Sequence, residues 1–300
     1  MLTRRQFFKW SLLVVGNCVW YKQTLGGEKT MLGINKMIQV EMEKRNCDVE
    51  AYVNGIPMWR SLFDQPFNSV SAHEYLIDGV NKLELVVFPG PTPSIARTEQ
   101  QERDSTGVYA EARLVKYLID VYPGDQSGEV LTRVVWQGQD NKKEVFPKIV
   151  TEKTDLGPMF GRWVWQDAEK LVLNKQTMDE ITKYIKNFHQ AFSAGDGKFI
   201  LNLAKMSQDA TYRAYPGRDR EEDDALDLQD FQKRKENPAW KVSPLNFTQF
   251  DFRLCAEDRI VEVINKDWKP TIRGVFQDTG RDYSYSMLLS RINGQFHMVL

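Results

Sequence analysis

Cysteine is scarce in this chain of 300 residues: Cys18, Cys47 and Cys255 are the only three, and no two stand at C-x-x-C spacing. That excludes a disulfide framework and the thiolate motifs of zinc and redox centres. Cys47 and Cys255 are left as either one bridge formed in an oxidising compartment or two buried thiols. Histidine is equally rare, with His73, His189 and His297 the full set, so the commonest proton carrier and metal ligand is nearly missing. Neither sign of charge is in excess: 40 basic and 41 acidic side chains give a net charge of −1, without the basic surplus of nucleic-acid or anionic-membrane binders. No G-x-S-x-G, H-E-x-x-H, P-loop or G-x-G-x-x-G motif occurs, so no named pattern indicates a catalytic, metal or cofactor site. The N-terminal apolar run, residues 10–21, is shorter than the ~20 residues that cross a bilayer as a helix.

What is present begins at the same terminus. Thr3-Arg4-Arg5-Gln6-Phe7-Phe8-Lys9 sets two arginines before an aromatic residue, an apolar residue and a lysine, and the short apolar run follows. This segment resembles a twin-arginine signal at every specified position. The resemblance implies export of the folded chain across a bacterial inner membrane by the twin-arginine translocase, into the periplasm. No small-x-small cleavage site follows the run, and Val15-Gly16-Asn17-Cys18 is only loosely similar to a lipobox, so a membrane tether through an uncleaved or lipidated N-terminus stays open. The alternatives are a buried N-terminal helix or a start codon placed too far upstream. Residues 1–30 are set apart from the fold on this reading.

Residues 37–150 alternate in short runs broken by turn residues. Residues 49–53 lead into Asn54-Gly55, the pair best suited to a two-residue hairpin because both central positions take positive φ. Residues 74–77 and 83–88 read as further strands, the second ended by Pro89-Gly90-Pro91. Residues 97–106 read as a polar connection. Residues 108–121 and 129–136 give two longer strands joined through Pro123-Gly124-Asp125. The pattern predicts an antiparallel β-sandwich, and the phrasing of its strand–turn units resembles immunoglobulin-like or jelly-roll accessory domains. Such domains present a face to a carbohydrate or a protein, which makes Trp59, Tyr109 and Trp136 candidates for a stacking platform, although the favoured reading is core or edge aromatics.

An aromatic-rich connector, residues 151–175, comes next, with Trp163 and Trp165 either gluing the two halves together or lining a groove between them. In residues 176–300, Thr177-Met178-Asp179-Glu180 has the form of a capping box and predicts a helix start. Ile181, Tyr184, Ile185, Phe188 and Phe192 follow at helical spacing until Gly195, and Asp196 caps a second helix. Residues 225–235 suggest a third, and five alternating runs after residue 250 suggest a sheet with an Asn293-Gly294 hairpin. Helices followed by a curved antiparallel sheet resemble the NTF2-like domains, which implies a pocket between helix and sheet and a role that is more often binding or dimerisation than catalysis. The expected fold class is therefore α+β: an N-terminal β-sandwich, then helices packed on a curved antiparallel sheet.

For function, these observations predict an exported envelope protein that acts by binding, with a protein as the partner, as an immunity or adaptor protein would. The alternative is a periplasmic hydrolase of carbohydrate or lipid, with Asp167 and His189 as catalytic candidates near the groove between the halves. Candidate binding residues are Trp163, Trp165 and the acidic run Glu221, Glu222, Asp223 and Asp224, whose spacing lacks the glycine and terminal acid of a calcium loop. No cofactor and no nucleic acid are expected.

Overall fold

Apolar and polar residues alternate through Lys36–Arg45, so Ile38, Val40 and Met42 face inward from one side of a strand. The computed structural model describes residues 36–61, 65–118, 127–215 and 217–300. Its first half contains β1 (Lys36–Arg45), β2 (Val49–Val53), β3 (Ile56–Arg60), β4 (Phe67–Ser71), β5 (Val80–Val87), β6 (Gln101–Asp104), β7 (Tyr109–Leu118), β8 (Glu129–Gln137), β9 (Lys143–Phe146) and β10 (Lys148–Asp155). These form two four-stranded antiparallel sheets, ordered β4-β1-β7-β8 and β10-β5-β2-β3, with β6 and β9 as a separate ribbon. The second half contains α1 (Lys175–Ala194), α2 (Gly197–Leu203), α3 (Lys205–Ala214), α4 (Arg220–Glu236), β11 (Trp240–Val242), β12 (Phe250–Cys255), β13 (Ile260–Asn265), β14 (Ile272–Phe276), β15 (Asp282–Tyr285), β16 (Met287–Ile292) and β17 (Gln295–Met298). Its strands divide into the sheets β11-β14-β15 and β12-β13-β16-β17. The α+β class is thus the observed one.

Several boundaries differ from those expected, each for a local reason. Helix α1 starts earlier than the Thr177 box, because Asn174 is its cap and accepts a hydrogen bond from the Thr177 N–H at 2.9 Å. Glu180 is turned instead to Arg291. Residues 74–77 do not form a strand: His73–Tyr75 is a single 3-10 turn. The polar connection contains β6, and β11 is a further short strand that the expectation lacked. Strand β10 runs to Asp155, so the first five residues assigned to the connector belong to a sheet. The two hairpins form as expected, with Asn54 and Gly55 at φ 51° and 77° and Asn293 and Gly294 at 50° and 75°. The Pro123-Gly124-Asp125 turn and the twin-arginine-like segment lie outside the described residues.

Two apolar clusters hold the molecule together. One joins both four-stranded sheets of the first half, through residues such as Val40, Leu114, Val49 and Leu85, and also takes in Cys255, Ile260 and Leu288 from the C-terminal strands and Val299 just after them. Cys47 and Cys255 are both buried in it as free thiols. The other packs Ile181, Ile185, Phe188 and Phe192 of α1 against Val261, Val263 and Leu289 of the last sheet. No helix among the described residues is long and apolar enough to cross a membrane.

Where the halves meet, the contact is ionic as well as apolar. Arg253 on β12 grips Glu50 on β2 with both terminal nitrogens, pairs with Glu262 on β13, and donates to the Tyr52 hydroxyl at 2.8 Å. Beside it, Arg97 pairs with Glu84 and covers the Tyr52 ring at 4.1 Å, and Arg60 covers the Trp268 ring at 3.3 Å. Trp268 donates to the Pro91 carbonyl and Asp251 accepts the Ser94 N–H, both across the junction. Glu50 is only 1% exposed, so its charge is tolerable only with the Arg253 fork in place. Replacing Arg253 with Met should therefore lower unfolding free energy by about 3–5 kcal/mol, as measured by urea denaturation. Adding Glu50→Gln and Glu262→Gln to that variant should recover much of the loss, because the stranded charges are then gone.

Candidate functional site

The residues expected to carry chemistry lie mostly in structural roles. Asp167 is exposed and clamped by Arg162, whose Nε and Nη2 reach its carboxylate at 3.1 and 2.5 Å; that pairing holds its carboxyl below its ordinary pKa. His189 is half-buried on α1 and its Nε2 lies 2.8 Å from the Ser243 carbonyl. No hydrogen bond or ion pair among the described residues links Asp167 to His189. Trp163 and Trp165 are buried, and their indole N–H groups donate to the carbonyls of Leu76 and Glu74 in the first half, at 2.5 and 3.3 Å. Arg213 of α3 lies over the Trp163 ring at 3.8 Å, so Trp163 touches both halves, and the burial of both tryptophans removes them as surface binding residues. Trp59 lies in the other sheet from Tyr109 and Trp136. Because Trp136 is paired with Ala110, it faces away from Tyr109, so the three share no platform.

His73 is the most completely enclosed of the three histidines, at 1% exposure. Its Nε2 accepts the Ile38 N–H at 2.9 Å, which places the proton on Nδ1, 2.8 Å from the Ala214 carbonyl that accepts it. The ring stacks on Tyr215 with centroids 4.7 Å apart, and Tyr215 donates to Glu74 at 2.7 Å. Burial pushes the His73 pKa down to about 4 and also raises that of Glu74. The neutral imidazole thus spans from β1 to the end of α3, with neither nitrogen left for a substrate. His297 is half-buried on β17, and burial lowers its pKa.

The acidic run belongs to the first turns of α4, which Asp219 caps by accepting the Glu222 N–H at 3.1 Å. Carboxylates there are favoured by the unpaired amide groups and the positive end of the helix dipole. Asp223 pairs with Arg218 and Asp224 with Arg220, while Glu221 and Glu222 are exposed and make no ion pair with the described residues. Among the described residues, no group of three or more His, Cys, Asp or Glu side chains is placed to hold a metal ion.

The arrangement with chemistry to spare lies at the other end of α4. Arg234 is 6% exposed and has no ion pair among the described residues. Its guanidinium carbon sits 4.0 Å from the Tyr283 ring centre, 4.5 Å from Phe231, 5.7 Å from Trp240 and 5.9 Å from Phe192. These rings also pack edge to face on one another, Phe192 against Trp240 at 5.3 Å and Trp240 against Tyr283 at 5.8 Å. The Tyr283 and Tyr285 hydroxyls are its hydrogen-bonding neighbours, yet Nε and Nη1 have no acceptor, and neither has the buried Trp240 Nε1. Gly274 makes this packing possible: a Cβ there would lie 2.3 Å from Trp240 Cη2, so the indole rests directly on β14. Asp227, whose carboxyl burial raises, is the nearby acid, and Arg234 pulls its pKa the other way.

Sequence reasoning missed this box, although Phe231 and Arg234 stand three apart and so share a helix face. The run Lys233-Arg234-Lys235 hid the buried residue between solvated ones. A guanidinium does not deprotonate in the working pH range, and an indole N–H only donates. These unpartnered groups can hold an acceptor; they do not themselves move a proton. Comparison with protein-family models, curated proteins and solved structures found no match.

The His73 geometry predicts a pH effect on stability. Because its folded pKa is depressed from 6.5 to about 4, the unfolded chain binds a proton between those values and the folded chain does not. The stabilisation is fully present above about pH 6.5 and is lost as pH falls toward 4, by at most about 3 kcal/mol. Comparing His73→Gln with the native chain by thermal unfolding across that range should show a shallower acid decline in the variant.

Proposed function

We propose that this chain is an exported envelope protein that acts by binding, with a protein as its partner. One observation carries the choice of binding over turnover: His73, His189 and Asp167 are each engaged by internal partners, whereas the polar groups left over in the aromatic box of α4 are pure donors. Proton transfer needs a group that titrates near the working pH, and recognition does not. The exposed carboxylates of Glu221 and Glu222 give the surface a negative feature that suits a basic patch on a partner, chiefly through faster encounter. As an architecture, we take the first half to be a β-sandwich, supported by the apolar cluster shared between its two sheets. We take the second to be NTF2-like, supported by the packing of α1 against the last sheet.

Capture from an envelope extract with the tagged full chain should recover one stoichiometric protein, and Glu221→Lys with Glu222→Lys should weaken that capture most at low ionic strength. Recovery of no stoichiometric protein would sink the partner assignment. For the export half of the proposal, residues 1–35 fused to a folded reporter should carry it to the periplasm, and Arg4→Lys with Arg5→Lys should stop it. Undiminished transport by the lysine variant would rule out the twin-arginine route.

A further inference from the structure

Buried polar groups in folded proteins are nearly always partnered, because an unmade hydrogen bond in a low-dielectric interior retains the whole desolvation cost. Arg234 departs from this with two unpartnered nitrogens, and Trp240 adds a third unpartnered donor from a different element. Other arginines show what a satisfied one looks like here. Arg253 spends its guanidinium on Glu50, Glu262 and Tyr52, and Arg291 pairs with Glu180 and Thr177 although its Nε is left over. Arg234 has aromatic faces around it and no ion pair among the described residues; Asp227, the nearby acid, interacts with it through charge alone. Cation–π contacts answer the charge from the flat sides of the guanidinium; they leave the N–H groups along its edge unanswered.

We propose that the box of Phe192, Phe231, Trp240 and Tyr283 around Arg234 is a binding site for a small organic carboxylate with an apolar or aromatic body. The carboxylate oxygens supply the acceptors that Arg234 lacks, in the charge-assisted hydrogen bonds that a guanidinium makes best. The part-exposed Tyr283 ring supplies stacking area for the body of the ligand, and the buried rings wall the guanidinium. Tyr283 is the half-buried ring of the set, and Arg281 lies over it at 4.8 Å, so the approach from solvent runs past a second positive charge. Asp227 and Asp230 on the preceding turns of α4 disfavour a second negative group, which selects a monoanion over a polyanion. The inference rests on the reading of the chain as a binder but not on the protein partner, and capture of such a partner tests neither the box nor its ligand.

The test uses the full chain with three probes: benzoate, its neutral isostere benzamide, and inorganic phosphate. Benzoate should bind saturably at millimolar concentration or below, changing tryptophan fluorescence through Trp240 and raising the melting temperature, while benzamide and phosphate do neither. Arg234→Met should abolish the benzoate response while melting within a few degrees of the native chain, because it exchanges a desolvated charge with two unpartnered donors for apolar volume, offsetting the lost tyrosine and ring contacts. Trp240→Phe keeps a ring in place, so it guards against misfolding of the methionine variant; it should weaken benzoate by about tenfold, read by the melting shift. No benzoate response, an equal response to benzamide, or a response to phosphate alone would each overturn the assignment. So would a large fall in the melting temperature of both variants, which would make the box purely structural.

Discussion

The pairing of Arg253 with Glu50 is the contact on which the arrangement of the two halves depends. It joins β12 to β2, more than two hundred residues apart in sequence, and does so in a layer where neither charge can be left alone. A purely apolar seam could slide, because hydrophobic contact has little directionality. A forked guanidinium on a carboxylate cannot slide, since its two hydrogen bonds require one relative orientation. The surrounding contacts follow from that register: Trp268 meets the Pro91 carbonyl and Asp251 meets the Ser94 amide. His73 fixes the other end, tying β1 to the close of α3 with one neutral ring. A surface assembled from both halves is thereby held in one geometry, which favours recognition by limiting what must be ordered on binding.

Local signals in the sequence were read well where the physics is local. Asn54-Gly55 and Asn293-Gly294 form tight turns because positive φ is cheap for those residues, and Gly195 ends α1 at φ 65° for the same reason. Helix α1 followed from its apolar stripe, and only its cap was misplaced, since Asn174 competed with Thr177 and took the free amide. The errors have a different source. Glu74 and Tyr75 look like strand residues by pattern, but the 3-10 turn that carries them is fixed by partners just past α3 and in the connector, including Tyr215 and Trp165. Among the alternating runs after residue 250, residues 283–292 form two strands in separate sheets, because Tyr285 pairs with β14 while Met287 pairs with β13.

The candidate site was hidden for the same reason. A charge run on a helix ordinarily marks a solvated face, and α4 begins and ends with one. What distinguishes Arg234 from Lys233 and Lys235 is the company it keeps: Tyr283 from β15, Trp240 from β11 and Phe192 from α1. Those rings converge only when three elements and Gly274 are in place. Trp163 and Trp165 pose the converse case, since a dense aromatic pair near a junction reads either as glue or as a groove lining, and its N–H groups are found on the Leu76 and Glu74 carbonyls.

Arg253 and Arg234 form an internal comparison. Both are mostly enclosed arginines with aromatic neighbours, and both carry a charge that is costly to desolvate. The first has two carboxylates and a phenol, and its contribution is positional. The second has rings on several sides and acceptors for only part of its edge. If Arg234 served packing alone, methionine would fill the same volume without unmade hydrogen bonds and with less desolvation. A guanidinium held there has a physical advantage only when an acceptor arrives, because the charge is then already desolvated, oriented and walled by apolar surface. That is the condition under which a single hydrogen-bonded anion contributes most to binding.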